Sequence, residues 1–182
     1  MPRVRADRLR EIARVPLAAG GVPEAATVAR HRVAANLAGH DSHGIIRIPG
    51  HVERVRAGHT VPGAPFEVVR ESPTTTMVDG HRGFGCVVNE RAMRLTIERR
   101  AQPTSPPPRC SARAMSQGHV GRLASYPLVA AEAGMIGMAW ADSGHSPTAV
   151  APSGGARRGS APTPGPSPCL RIWRGRCSSA CH

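Results

Sequence analysis

A chain of 182 residues with 40% hydrophobic side chains is long enough to bury one core, but its aromatic content of 3% means that core is aliphatic. No apolar run approaches the roughly 18 residues that span a bilayer, and the start, M-P-R-V-R-A-D-R-L-R-E, lacks the apolar stretch of a signal peptide. No membrane partner and a cytoplasmic location are therefore expected, while the net charge of +12 raises nucleic acid as a partner.

That last reading is discounted. All 24 basic residues are arginine, they are scattered, and almost no aromatic residues accompany them as stacking platforms. An arginine-rich nucleic-acid-binding protein remains the alternative, and salt-sensitive retention on a polyanion would mark it. Five cysteines are an odd number, and four of them fall in two aberrant segments; only Cys86 lies in the regular body. Cys177-x-x-x-Cys181-His182 is too thin a cluster for zinc, so no metal is expected.

In chain order, Leu9, Ile12, Ala13 and Leu17 keep helical spacing over residues 5–19, although Pro16 interrupts them. Gly20-Gly21 ends that element. A second helix starts near Pro23 and runs to Leu37, with Gly39 as its stop. A third begins near Pro49 and ends near Gly58. Phe66–Arg70 and Thr74–Val78 read as strands. V-D-G-H-R-G-F-G, residues 78–85, reads as a turn after a strand, and residues 87–100 as an amphipathic helix. Q-P-T-S-P-P-P-R-C, residues 102–110, breaks the pattern, because consecutive prolines cannot serve a central strand. H-V-G-R-L, residues 119–123, opens a helix through Ala133, and Met135–Trp140 reads as a short strand.

The chemistry concentrates in G-H-D-S-H-G-I-I-R, residues 39–47. His43 can exchange a proton near neutral pH, and Ser42 can hold it in one orientation. Arg47 stands four residues on, where a helix beginning at Gly44 would turn both toward one cleft. Its planar fork suits a carboxylate. Gly44 would give the backbone freedom to turn. A plainer reading is a polar loop that caps a helix through Asp41 or Ser42. His40, His51, His59, His81 and His145 are read as surface residues without a role.

G-H-D-S-H-G-I-I-R, V-D-G-H-R-G-F-G, H-V-G-R-L and A-P-S-G-G (residues 151–155), in that order, resemble the malate/L-lactate dehydrogenase family of NAD(P)-dependent oxidoreductases. The likeness runs from Val15 to Arg158, broken between Ala101 and Cys110. It implies an α/β chain: the N-terminal part of that family's own fold, which is not a Rossmann fold. It also implies a hydride transfer between NAD or NADP and a small 2-hydroxy acid, a 2-oxo acid or a related imino acid. His43, supported by Ser42, would be the acid/base. Arg47 and Thr148 would hold the substrate, and His119 would act in catalysis and beside the cofactor. The backbone of Val120, Gly121, Arg122 and Leu123 would meet the cofactor phosphates if a helix N-terminus points there. Which histidine moves the proton stays open. Homodimers are expected of full-length relatives.

The division implied is 1–75 on the substrate side, 76–158 as part of the cofactor-binding domain, and 159–182 as a tail outside the family pattern, expected to lack fixed structure. Reading the codons from Gly159 in a shifted frame is compatible with L-G-T-N-P-W-A-I-A-V-P, the continuation the family would have. The expectation is a truncated, frameshifted member whose activity is in doubt, or an inactive remnant; sequencing the gene tests this.

Overall fold

The computed structural model describes residues 4–101 and 110–141. Thr148, the A-P-S-G-G turn, the proline segment 102–109 and the tail lie outside the described residues.

Two helices, α1 (Ala6–Ala19) and α2 (Ala25–Leu37), pack as a hairpin, and α3 (Ile48–Arg56) lies against α1. Gly21, at φ +74°, makes the turn between the first two, a conformation that costs a glycine nothing. Pro16 sits inside α1 without ending it. Leu17 and Ala13 of α1 meet Ala25, Val28 and Ala29 of α2, and Ile48, Phe84, Cys86 and Val87 complete the cluster. Phe84 is its only aromatic ring, as the composition requires, so small residues set close helix spacing.

Beside the helices lies a three-stranded sheet in the order β1 (Glu67–Glu71), β2 (Thr75–Asp79), β3 (Ser111–Met115). β1 and β2 form an antiparallel hairpin with an irregularity between Val68 and Arg70; β2 and β3 are parallel. Parallel neighbours need a crossover, which α4 (Gly85–Arg100) supplies. Thr76 and Val78 face inward, whereas β1 is exposed along its whole length. Arg99 ties the end of α4 back to the hairpin through Glu71 at 2.7 Å and the Ser72 carbonyl at 2.8 Å. A mixed helix and sheet architecture is thus present, with helices arranged as the periodicity implies.

β3 returns the chain to the sheet immediately after the proline segment, a strand that S-A-R-A-M does not announce by alternation. Two expectations need correcting. Met135–Trp140 is not a strand among the described residues; Ile136, Met138 and Trp140 are exposed and have no sheet neighbour. The last helix, α5 (Ser125–Glu132), begins six residues after His119 rather than at it. Gly121 explains the delay, because its φ of +78° is outside the helical region.

Candidate active site

The site assembles where three segments meet: the end of α2, the G-H-D-S-H-G turn, and the Gly118–Leu123 loop. Asn36, in the last turn of α2, staples the second of these. Its Oδ1 accepts the Ile45 N–H at 2.9 Å, and its Nδ2 donates to Asp41 Oδ1. A Cβ on Gly44 would stand 2.3 Å from Asn36 Oδ1. Gly44 itself has φ −82°, ordinary for any residue, so the glycine is required for closeness and not for the turn. This corrects the sequence reading. The capping reading fails as well: neither Asp41 nor Ser42 caps a helix, and α3 begins behind Arg47 without a side-chain cap.

Residues 41–43 and 45–47 form two single helical turns that present the chemistry. Ser42 Oγ lies 2.9 Å from His43 Nδ1. Arg47 Nε donates to the Ser42 carbonyl at 2.7 Å, which leaves the outer nitrogens of its fork without a carboxylate among the described residues. The ring centres of His43 and His119 are 5.0 Å apart. His40 packs edge-on to His43 at 4.3 Å. The structure therefore brings together Ser42, His43, Arg47 and His119, which are up to 77 residues apart in sequence numbering.

His119 is positioned from two sides. Gly118 donates its N–H to the Gly83 carbonyl at 2.9 Å, and a Cβ on Gly85 would fall 2.1 Å from the Gly118 carbonyl. V-D-G-H-R-G-F-G thus works as a close-packed seat for the His119 loop, with His81 and Arg82 both at positive φ. On the other side, the Gly121 N–H donates to His119 Nδ1 at 3.0 Å. Neutral His119 then carries its proton on Nε2.

Two members of the site were missed in the sequence. His51, read as a surface residue, is 6% exposed and lies edge-on to Phe84 at 5.7 Å and to His119 at 6.4 Å. Arg32 is 1% exposed on α2, and its Nη1 donates to the His43 carbonyl at 3.2 Å. Neither carries a sequence signal, since a buried polar residue at helical spacing looks like any solvated one.

All three imidazoles are held below their ordinary pKa. Burial is the first cause for each; the positive charge of Arg32 acts on all three, and Arg47 does the same. His51 falls to about 3 and His119 to about 4, and His43 moves the same way with His40 adding to it. His119 opens one side to solvent, which screens part of its shift. The site is therefore a set of neutral imidazoles beside arginines at neutral pH.

The loop after His119 leaves several backbone amides unused. The Val120 carbonyl accepts from the Tyr126 hydroxyl, and the Gly121 amide is spent on His119. The amides of Val120, Arg122 and Leu123 donate to no acceptor among the described residues. They remain available to phosphate oxygens, although not as a helix N-terminus.

Comparison with known proteins identifies the family. The family model for malate/L-lactate dehydrogenase matches residues 4–165. The chain belongs to the malate/L-lactate dehydrogenase family. The malate dehydrogenase of Pyrococcus horikoshii is 37% identical over 158 residues, which cover 86% of this chain and 42% of that protein. Its solved structure superposes with a TM-score of 0.74 over 85% of this chain and 43% of that one, at 36% identity. The L-sulfolactate dehydrogenase of Methanocaldococcus jannaschii is 41% identical over 81 residues, covering 43% of this chain and 24% of that protein. This member of the malate/L-lactate dehydrogenase family thus spans about two fifths of the length of its Pyrococcus relative. No helix among its described residues is long and apolar enough to cross a membrane.

Proposed function

We propose that this chain carries the proton-handling and carboxylate-binding part of an NAD(P)-dependent oxidoreductase acting on a small 2-hydroxy acid, 2-oxo acid or related imino acid. The observation that carries the reading is the meeting of His43 and His119 beside Arg47. A dehydrogenation needs a base for the hydroxyl proton, a fork for the carboxylate and an oxygen-directed donor. These three segments supply one of each.

When bound, the nicotinamide accepts or supplies the hydride. The remaining work falls to the protein. Arg47, with its outer nitrogens free of any carboxylate among the described residues, holds the substrate carboxylate and so fixes the α-carbon. In the tautomer whose Nδ1–H points at Ser42 Oγ, 2.9 Å away, His43 has the lone pair of Nε2 open. It takes the hydroxyl proton as the α-hydrogen departs as hydride, and returns it in the reverse direction. His119, fixed by the Gly121 amide with its proton on Nε2, donates a hydrogen bond to the same oxygen. The open amides of Val120, Arg122 and Leu123 hold the cofactor phosphates. Thr148 is assigned to the substrate by family resemblance alone.

The choice of His43 over His119 as base rests on tautomers. A ring that already accepts a hydrogen bond at Nδ1 gives up that bond if it is protonated there. His119 is in that position, and His43 is in it only when Ser42 Oγ is the donor between them.

Hydride transfer to 2-oxo acids, followed by loss of NADH or NADPH absorbance, tests the proposal. Turnover that falls by about 10²–10⁴ in His43→Ala supports it. Turnover equal in His43→Ala and the parent chain would remove His43 from the reaction.

A further inference from the structure

The least expected group in the structure is Arg32. It is among the largest fully buried side chains, yet no carboxylate faces it within hydrogen-bonding distance among the described residues. Its Nε and Nη2 meet no nitrogen or oxygen acceptor there, Nη1 donates to the His43 carbonyl, and the Cys86 thiol is a further polar neighbour. A buried cation without an anion costs several kcal/mol of desolvation by general estimate. Such a group is retained against its cost only where its position does something.

Its position is specific. Arg32 Nη1 reaches the backbone of His43 on one side. On the other, the guanidinium lies flat under Gly121, where a Cβ would stand 3.0 Å from Nη1 and 3.3 Å from Nη2. Gly121 is the residue whose amide fixes His119. One buried guanidinium thus touches the backbones that hold both catalytic imidazoles. The single glycine at φ +78° is what lets the loop come that close.

We propose that Arg32 is a positioning residue of this site: it holds the His43 and His119 segments together and sets a permanent positive charge beside them. The inference rests on the reading of those two histidines as the proton-handling pair.

The charges around them leave Arg32 in that role. Within α2, Arg30 and His31 flank it, but both bond to Glu90 of α4, at 2.6 Å and 2.7 Å. Glu90 is also held by Arg94 at 2.9 Å, so the one nearby carboxylate is already surrounded by cations. Cys86 on α4 and Tyr126 on α5 face Arg32, and burial pushes both toward their neutral forms. His43 further meets His40 and Arg47, and Asp41 is turned to Asn36. His51 meets Arg54 and Arg47 besides Arg32 and His119. Arg47 is exposed and screened, whereas Arg32 is not.

NMR titration of the histidine Cε1–H resonances in the 182-residue chain tests this, with assignments from His43→Gln and His119→Gln. In Arg32→Met the midpoints of His43 and His119 should rise by about one pH unit. In Arg32→Lys, which keeps the charge, they should stay within a few tenths of a unit of the parent. Unchanged midpoints in a folded Arg32→Met chain would overturn the proposal. So would equal shifts in the Lys and Met variants. Where Arg32→Met fails to fold, Arg32→Gln, which keeps a donor without the charge, takes its place, and unchanged midpoints there would overturn the proposal equally. None of these readings needs substrate or cofactor. A failed activity assay with the expected shifts would sink the proposed reaction and leave the role of Arg32 standing.

Discussion

Asn36 and Gly44 fit together with no room for a methyl group between them. The carboxamide of Asn36 occupies the space that any side chain at position 44 would need, and it satisfies the Ile45 amide in doing so. Through this contact, the last turn of α2 dictates where Ser42 and His43 stand. Gly44→Ala should therefore destabilise the chain by about 1–3 kcal/mol, the usual range for overpacking with loss of a buried hydrogen bond. In the background of Asn36→Ala the same substitution should cost much less, because the clash is gone. Urea denaturation of the double-mutant cycle measures the difference; additive costs would mean that the two residues act separately.

The neutral histidines make a second prediction, about acid. His51 at about 3 and His119 at about 4 lie below the ordinary histidine value of 6.5, and His31 and His43 shift the same way. The unfolded chain then binds more protons than the folded one across that interval. Stability is fully present above pH 6.5 and declines as pH falls toward these folded values. Glu90 extends the loss: desolvation raises its pKa, but Arg30, His31 and Arg94 outweigh that and hold it at about 2 against 4.5. Its contribution fades between those two values. Urea midpoints should fall steadily from pH 7 to pH 4, with His51→Phe flattening the upper part of the curve. A midpoint that is constant down to pH 5 would contradict the buried, neutral state of His51.

Arg47 supplies a third test. Its Nε bond to the Ser42 carbonyl fixes the plane of the fork, and lysine cannot reproduce either feature. Arg47→Lys should raise KM for a 2-oxo acid at least tenfold while leaving the unfolding free energy within about 0.5 kcal/mol of the parent, as for most exposed substitutions. Steady-state kinetics checks it. A KM unchanged by the substitution would place the carboxylate elsewhere.

Much of this was legible in the sequence. The helices and the first two strands followed from periodicity and from Gly and Pro punctuation, and the four motifs in order pointed to the family. Where the reading failed, the cause was tertiary. Gly44 looked like a turn glycine because the chain reveals φ preferences but not that Asn36 would arrive beside it. H-V-G-R-L looked like a helix start because the demand of Arg32 for a close, left-handed Gly121 is not written locally. His51 and Arg32 sit at helical spacings where burial is decided by neighbours far along the chain. S-A-R-A-M becomes a strand because β2 offers it a parallel edge, with Thr75 opposite Ser111 and Asp79 opposite Met115.

The central claim is that the His43–His119 site belongs to a nicotinamide-dependent oxidoreductase and retains its cofactor side in this chain. Fluorescence titration of the purified chain with NADH and NADPH tests it most directly. The account predicts saturable binding of one or both, weakened at least tenfold by His119→Ala, with the circular dichroism spectrum unchanged. A folded chain that binds neither dinucleotide, or binds equally well without His119, would contradict it.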